Sequence, residues 1–152
     1  MPNSSISARD QYFAALAFQE AKKSLSNGGL PIGAVLARGS ELVSSGHNQR
    51  VQNGDPIAHG EMDALRKAGR QATYRDTTLY TSLSPCMMCA GTIVQFKIPR
   101  IVINDTQNFG GNEAFLRDHG VEVIDIVHAD SIEQMSQFIA NNPALWDEDI
   151  ME

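Results

Sequence analysis

Apolar residues first recur at helical spacing. Tyr12, Phe13, Leu16, Ala17, Ala21 and Leu25 form one stripe, which predicts a helix over 8–26. Ser7 stands at the cap position with Asp10 three residues on, and Asn27-Gly28-Gly29 stops the run. The pattern then shortens. Residues 32–37 form an apolar run, Arg38-Gly39-Ser40 turns it, and 41–45 return, as a hairpin does. A polar, glycine-bounded loop over 46–54 leads to a predicted helix over 56–68, with Asp55 as cap, Pro56 at the first helical position and Gly69 at the end. Next come a strand over 77–83 and a helix over 85–96 opened by Ser84-Pro85. Pro99 precedes a strand over 100–104, and 105–112 read as a loop. A short helix over 113–118, a strand over 121–126 and a helix over 131–140 complete the pattern. The tail after Asn141-Asn142-Pro143 holds the only tryptophan, Trp146, among carboxylates. It either docks as a short helix or stays unstructured.

Strands alternating with helices after an opening hairpin indicate an α/β fold of three layers. The expected sheet is mixed, with about five strands and helices on both faces. A chain of 152 residues fits one domain over 1–152, and no internal repeat or linker interrupts it. Open α/β sheets bind ligands where strands exit into helices.

Composition narrows the function. Hydrophobic residues make up 42% and charged residues 20%, as in an ordinary soluble domain. No apolar run is long enough to span a membrane. Residues 1–5 lack the basic and apolar regions of a secretory signal, so the expectation is a cytoplasmic chain with no membrane partner. A net charge of −6 argues against a broad phosphate-binding face, so no nucleic-acid partner is expected and a small uncharged ligand fits better.

Two pieces carry the candidate chemistry: His59-Gly60-Glu61, and Pro85-Cys86-Met87-Met88-Cys89. Structural zinc takes four protein ligands, whereas catalytic zinc keeps one position open. With two cysteines in the chain, a structural site built from three or four cysteines of this chain is impossible. His59, Cys86 and Cys89 therefore predict an open zinc site, one ion per chain. Cysteines three apart at a helix start share a face and are favoured as thiolates. His59 and Glu61 lie about 200° apart on an ideal helix, so they serve one metal only if it sits off the helix tip. A bare C-x-x-C also suits a redox pair or half of a shared structural site. H-x-E followed by P-C-x-x-C is far more specific and matches the zinc deaminase pattern. In that pattern zinc acidifies a water, and Glu61 moves protons from the water to the ring nitrogen and the leaving amine. His47 reads as structural rather than as a fourth ligand, and His119 and His128 as surface residues.

On these motifs the chain resembles the cytidine and cytosine deaminase superfamily. It is similar to the fungal-type cytosine deaminases over nearly its whole length. The likeness is carried by Gly28-Gly29-Leu30-Pro31-Ile32-Gly33, Gly46-His47-Asn48, His59-Gly60-Glu61, Asp76-Thr77-Thr78-Leu79-Tyr80-Thr81, Leu83-Ser84-Pro85-Cys86, Ile98-Pro99-Arg100, and Trp146 with Glu148-Asp149-Ile150. Gly60 is informative, because the related tRNA adenosine deaminases usually carry alanine there, and it is counted among the expected substrate contacts. The resemblance implies a cytidine deaminase-like fold, a homodimer and a role in pyrimidine salvage. It implies that Asn48 bonds the base and Asp149 receives the exocyclic amine. Phe109, Trp146 and Ile32 would wall the ring, with Leu83 and Ser84 along its edge. Residues 143–152 would form a lid that leaves no room for ribose, so the expected reaction is cytosine to uracil plus ammonia. Val51 and Met87 depart from the fungal pattern, which has a larger aromatic residue and an aspartate there. The alternatives are the same chemistry on isocytosine, creatinine, guanine or another small amino-substituted ring, a tRNA or nucleoside deaminase, and a non-catalytic zinc or redox module.

Overall fold

Helix α1 (Ala8–Ser26) has the boundaries and the capping box that its sequence predicts. The structure, a computed structural model, describes residues 6–152; residues 1–5, read above for a secretory signal, lie outside the described residues. The expected stripe is buried at Phe13, Ala17 and Ala21, while Tyr12 and Leu25 are exposed. The hairpin forms as strands β1 (Gly33–Arg38) and β2 (Glu41–His47). Strands β3 (Thr78–Thr81), β4 (Arg100–Ile103) and β5 (Glu122–Asp125) complete a five-stranded sheet in the order β2-β1-β3-β4-β5. Strand β1 runs antiparallel to both neighbours, and β3, β4 and β5 are parallel, so the sheet is mixed as expected.

Strand alternation sorts the core into two faces. Ala34, Leu36, Leu79, Ile101 and Ile103 pack with Ala64 and Leu65 of α3 (Gly60–Ala68), Ala90 and Ile93 of α4 (Met87–Gln95), and Leu116 of α5 (Glu113–Asp118). Val35, Ala37, Tyr80 and Val102 pack on the other face against Phe13 and Ala17 of α1. Asn104, just past β4, donates to Ala14 O of α1 and to Ser131 Oγ of α6 (Ala129–Asn141), which places α6 beside α1. The result is the expected three-layer α/β/α sandwich. A third cluster lies at the sheet end where β1 begins and β3 stops. It joins Leu30, Ile32 and Leu83 to Met135 and Phe138 of α6 and to Trp146 of α7 (Pro143–Ile150). The tail therefore docks as a helix. Among the described residues no helix is long and apolar enough to cross a membrane.

Three local expectations are corrected. Helix α3 begins at Gly60, with His59 as its extended N-cap, instead of at Pro56. Asp55 makes a tight turn, its Oδ1 accepting from Ile57 N at 3.0 Å. Helix α4 likewise begins at Met87 with Cys86 as N-cap, instead of at Pro85. The loop over 46–54 contains a short helix, α2 (Arg50–Asn53), closed by Gly54 in the left-handed region.

Candidate active site

Both ligand-bearing helices start one residue after a ligand. His59 and Cys86 are N-caps with extended backbone, ψ 161° and 175°, so each side chain sits off its helix tip. This removes the angular conflict between His59 and Glu61. His59 Nδ1 lies 3.4 Å from Cys86 Sγ and 3.7 Å from Cys89 Sγ. A tetrahedral zinc with bonds near 2.1 Å to nitrogen and 2.3 Å to sulfur separates such atoms by about 3.6 Å. The three donor atoms all fall within 4.8 Å of one another, and among the described residues they form the one His/Cys/Asp/Glu group so placed. The donor set thus fits a three-ligand zinc. His47 is not in it; its Nδ1 contacts Glu20 Oε1 at 3.0 Å.

Charge in this cluster is strongly coupled. Cys86 is pulled down to about 4, chiefly by the hydrogen bond from Cys89, against burial and with help from His59. Cys89 is pushed well up by the same bond and by burial. Burial pushes His59 down, but Cys86, Glu61 and Asp149 outweigh it and leave it raised. Glu61, 3% exposed on the first turn of α3, is pushed up to about 7 by burial and then by Cys86, with His59 opposing. Asp149 is raised by burial, against His59, Asn48 and Arg50.

A narrow pocket with a free volume of about 20 Å³ adjoins these groups. It is lined by Ile32, His59, Glu61, Leu83, Ser84, Cys86, Phe109, Asp149 and Ile150. Five of the eight residues read above as substrate contacts therefore face it. Ile150 also lines it and was not singled out beyond its place beside Asp149. Asn48 reaches the site indirectly: Asn48 Nδ2 donates to Asp149 Oδ1 at 3.2 Å. Trp146 packs one layer back, edge-on to Phe109 with ring centroids 6.1 Å apart. Gly60 contributes by having no side chain, since a Cβ there would lie 3.1 Å from Ile32 O. Met87 borders a wider outer cavity, which His59, Cys86, Phe109 and Asp149 also line. Val51 is exposed on α2 and borders neither cavity.

The loop bearing Asn48 is tied down by residues that the sequence did not mark. Asn48 N donates to Ile32 O at 2.8 Å, and Asn48 O accepts from Ser24 Oγ at 2.7 Å. Asp63, two residues after Glu61, accepts from His47 N, Gln49 Nε2 and Lys67 Nζ at 3.0, 3.2 and 2.9 Å. Burial alone would raise Asp63, but Lys67 and these donors hold it low. A Cβ at Gly46 would meet Ala64 N at 2.5 Å, so glycine lets α3 lie directly on β2. On the opposite side, Ser84 Oγ donates to Glu113, and Asn112 Nδ2 donates to Pro85 O at 2.9 Å. These bonds stitch the end of the Phe109 loop to the Cys86 turn.

The comparisons agree with this geometry. The model of the cytidine and deoxycytidylate deaminase zinc-binding region matches residues 7–105, which include all three donors and Glu61. A cytosine deaminase of Candida albicans is 44% identical over 140 residues, covering 90% of this chain and 93% of the relative. A tRNA-specific adenosine deaminase of Streptococcus pyogenes is 37% identical over 107 residues, covering 68% of this chain and 67% of the relative. In three dimensions the chain superposes on a tRNA:A34 deaminase with a TM-score of 0.74 and 26% identity, over 82% of this chain and 99% of that one. With its donor set, its buried glutamate and these likenesses, the chain belongs to the cytidine and deoxycytidylate deaminase family and is a zinc-dependent aminohydrolase.

Proposed function

We propose that the chain deaminates a free pyrimidine base, converting cytosine and water to uracil and ammonia. The observation that carries this reading is the narrow pocket over the donor set. Its free volume is only about 20 Å³, far below the roughly 300–1,000 Å³ of open ligand sites, and Asp149 and Ile150 of α7 close one side of it. That space suits a bare ring better than a nucleoside or a tRNA loop. The relative from Candida albicans is a cytosine deaminase, and its likeness runs over 90% of this chain.

In this reading His59, Cys86 and Cys89 hold one zinc, which when bound acidifies a water towards neutral pH. Glu61 accepts one proton of the attacking water at its carboxylate and delivers it to the ring nitrogen; it then takes the second from the hydroxyl added to the ring carbon and delivers it to the departing amine. Asp149 accepts from the exocyclic amine of the base, and the Asn48 amide bonds the ring's polar edge. Ile32, Leu83 and Phe109 form apolar walls that hold the ring flat, with Trp146 behind them. Helix α7 acts as a lid, so residues 143–152 exclude bulk water during turnover. The chain pairs with a second copy, a reading supported by an apolar groove on α3 and α4 that includes Met62, Leu65, Tyr74 and Phe96. A cytoplasmic setting is the reading we favour, supported by cysteines placed as metal ligands rather than in a disulfide.

The test is ammonia release by zinc-loaded protein from cytosine, isocytosine, creatinine, guanine, adenine and cytidine. Strong turnover of cytosine with cytidine inert is expected. Turnover of another ring with cytosine inert would move specificity to positions such as Met87 at the cavity mouth. Turnover of cytidine would overturn the free-base reading.

A further inference from the structure

Resting on that reading of Asn48 and Asp149, we propose that Arg50 is a positioning residue that braces both polar groups of the base site and holds the lid on it. Its side chain is only 7% exposed, although arginine is rarely buried without partners. One guanidinium joins three segments. Nε donates to Pro56 O at 3.3 Å, in the turn that leads to His59. Nη1 pairs with Glu148 Oε2 at 3.2 Å, and Nε lies 3.9 Å from Asp149 Oδ1, both on α7. The backbone does a second job: Arg50 N donates to Asn48 Oδ1 at 3.0 Å. That bond fixes which end of the Asn48 amide is which, and so turns Nδ2 towards Asp149 Oδ1.

The charge balance of the lid supports the assignment. Helix α7 carries Asp147, Glu148 and Asp149 and no basic residue. Among the described residues, every ion pair from α7 to the rest of the chain goes to Arg50 or to His59, the latter at 4.0 Å. Histidine ligates metal as the neutral imidazole, so Arg50 is the cation that keeps the acidic lid against the site. A fixed guanidinium also holds the Asp149 carboxylate in one orientation, with Asn48 occupying Oδ1 and Oδ2 free of protein donors among the described residues.

The test uses the full zinc-loaded chain. Trp146 is the only tryptophan, lies on the lid and is 7% exposed, so acrylamide quenching of its fluorescence reports lid opening directly. Arg50→Gln is expected to raise the quenching constant severalfold. It should also raise KM for cytosine by roughly 10–100-fold, the usual penalty for a lost supporting partner, with kcat changed far less. Binding of 2-hydroxypyrimidine, which lacks the amine, should weaken much less than binding of cytosine. Glu148→Gln, which removes one partner from the exposed side, should raise quenching and KM in the same direction but by less. A lowered Tm with wild-type quenching and wild-type KM in Arg50→Gln would show a role in folding alone and overturn the proposal. If Arg50→Gln does not fold, unchanged quenching in Glu148→Gln overturns it instead. Should wild type release no ammonia from cytosine, the base assignment fails while Trp146 quenching still tests Arg50.

Discussion

At the scale of single residues, the candidate site is marked by a buried carboxylate, Glu61, with no cation paired to it among the described residues. Asp10, Glu20 and Asp63 each have a Lys, Arg or His partner within hydrogen-bond reach. Among the described residues Glu61 has none, and burial drives it up to about 7. An unpaired buried acid is costly to keep, which supports the proposed proton-transfer role over a support of the fold. Glu61→Gln should keep the side chain's volume and the three donors, and therefore retain one zinc per chain. It should lower kcat by about 10²- to 10⁴-fold, the usual contribution of a positioned general acid–base. Metal analysis beside ammonia release checks both halves. Wild-type kcat in a zinc-loaded Glu61→Gln would remove Glu61 from the mechanism.

At the scale of elements, both ligand-bearing helices and α7 are held by contacts of very different sequence reach, and that difference decides what could be read in advance. The α1 cap was legible because Ser7 and Asp10 satisfy each other locally. The starts of α3 and α4 were misplaced because Asp55-Pro56 and Ser84-Pro85 have ideal local chemistry for helix starts, yet the chain extends for a few residues more to put His59 and Cys86 at the tips. The zinc donors and Glu61 were legible as motifs. Arg50 was not, because its partner Glu148 lies 98 positions away and nothing local marks the pairing. The same reach makes α7 a semi-independent unit, docked through Trp146, Leu145 and Ile150 on one cluster. Trp146→Ala should remove about 3 kcal/mol of packing, mostly from this helix, since truncating a buried Trp typically costs roughly 3–5 kcal/mol. Hydrogen exchange of α7 amides should then quicken by about a hundredfold while the amides of β3 and β4 keep their protection. Equal loss of protection in the strands would show that α7 and the sheet unfold as one unit.

At the scale of the whole molecule, acidic residues bind the layers together despite a net charge of −6. Asp10 lies at the hub, 1% exposed: it takes Arg100 Nη1 and Nη2 of β4 at 2.9 and 2.7 Å and the Tyr80 hydroxyl of β3 at 2.7 Å, tying α1 to two strands. Glu20 of α1 reaches His47 of β2, and Asp63 of α3 reaches the β2 exit. Burial alone would raise all three, but their donors win and hold each one low, Asp10 well below the usual carboxylate range. A carboxylate whose folded pKa is depressed adds stability that is fully present above its unfolded pKa, near 4. That stability drains away as pH falls from there towards the folded value. Asp10→Asn keeps the shape and removes the charge, leaving half-buried Arg100 beside a neutral group with only the exposed Glu122 as its acidic partner. The gap in unfolding free energy between wild type and Asp10→Asn should be about 3 kcal/mol at pH 7, near the cost of breaking a buried ion pair. It should hold steady down to about pH 5 and close progressively below about pH 4, because protonation then neutralises the wild-type carboxyl as well. Urea unfolding of the two proteins at stepped pH gives the gap directly. A gap that stays constant down to about pH 2, below the usual carboxylate range, would mean that the hub works by shape and hydrogen bonding, without the Asp10 charge.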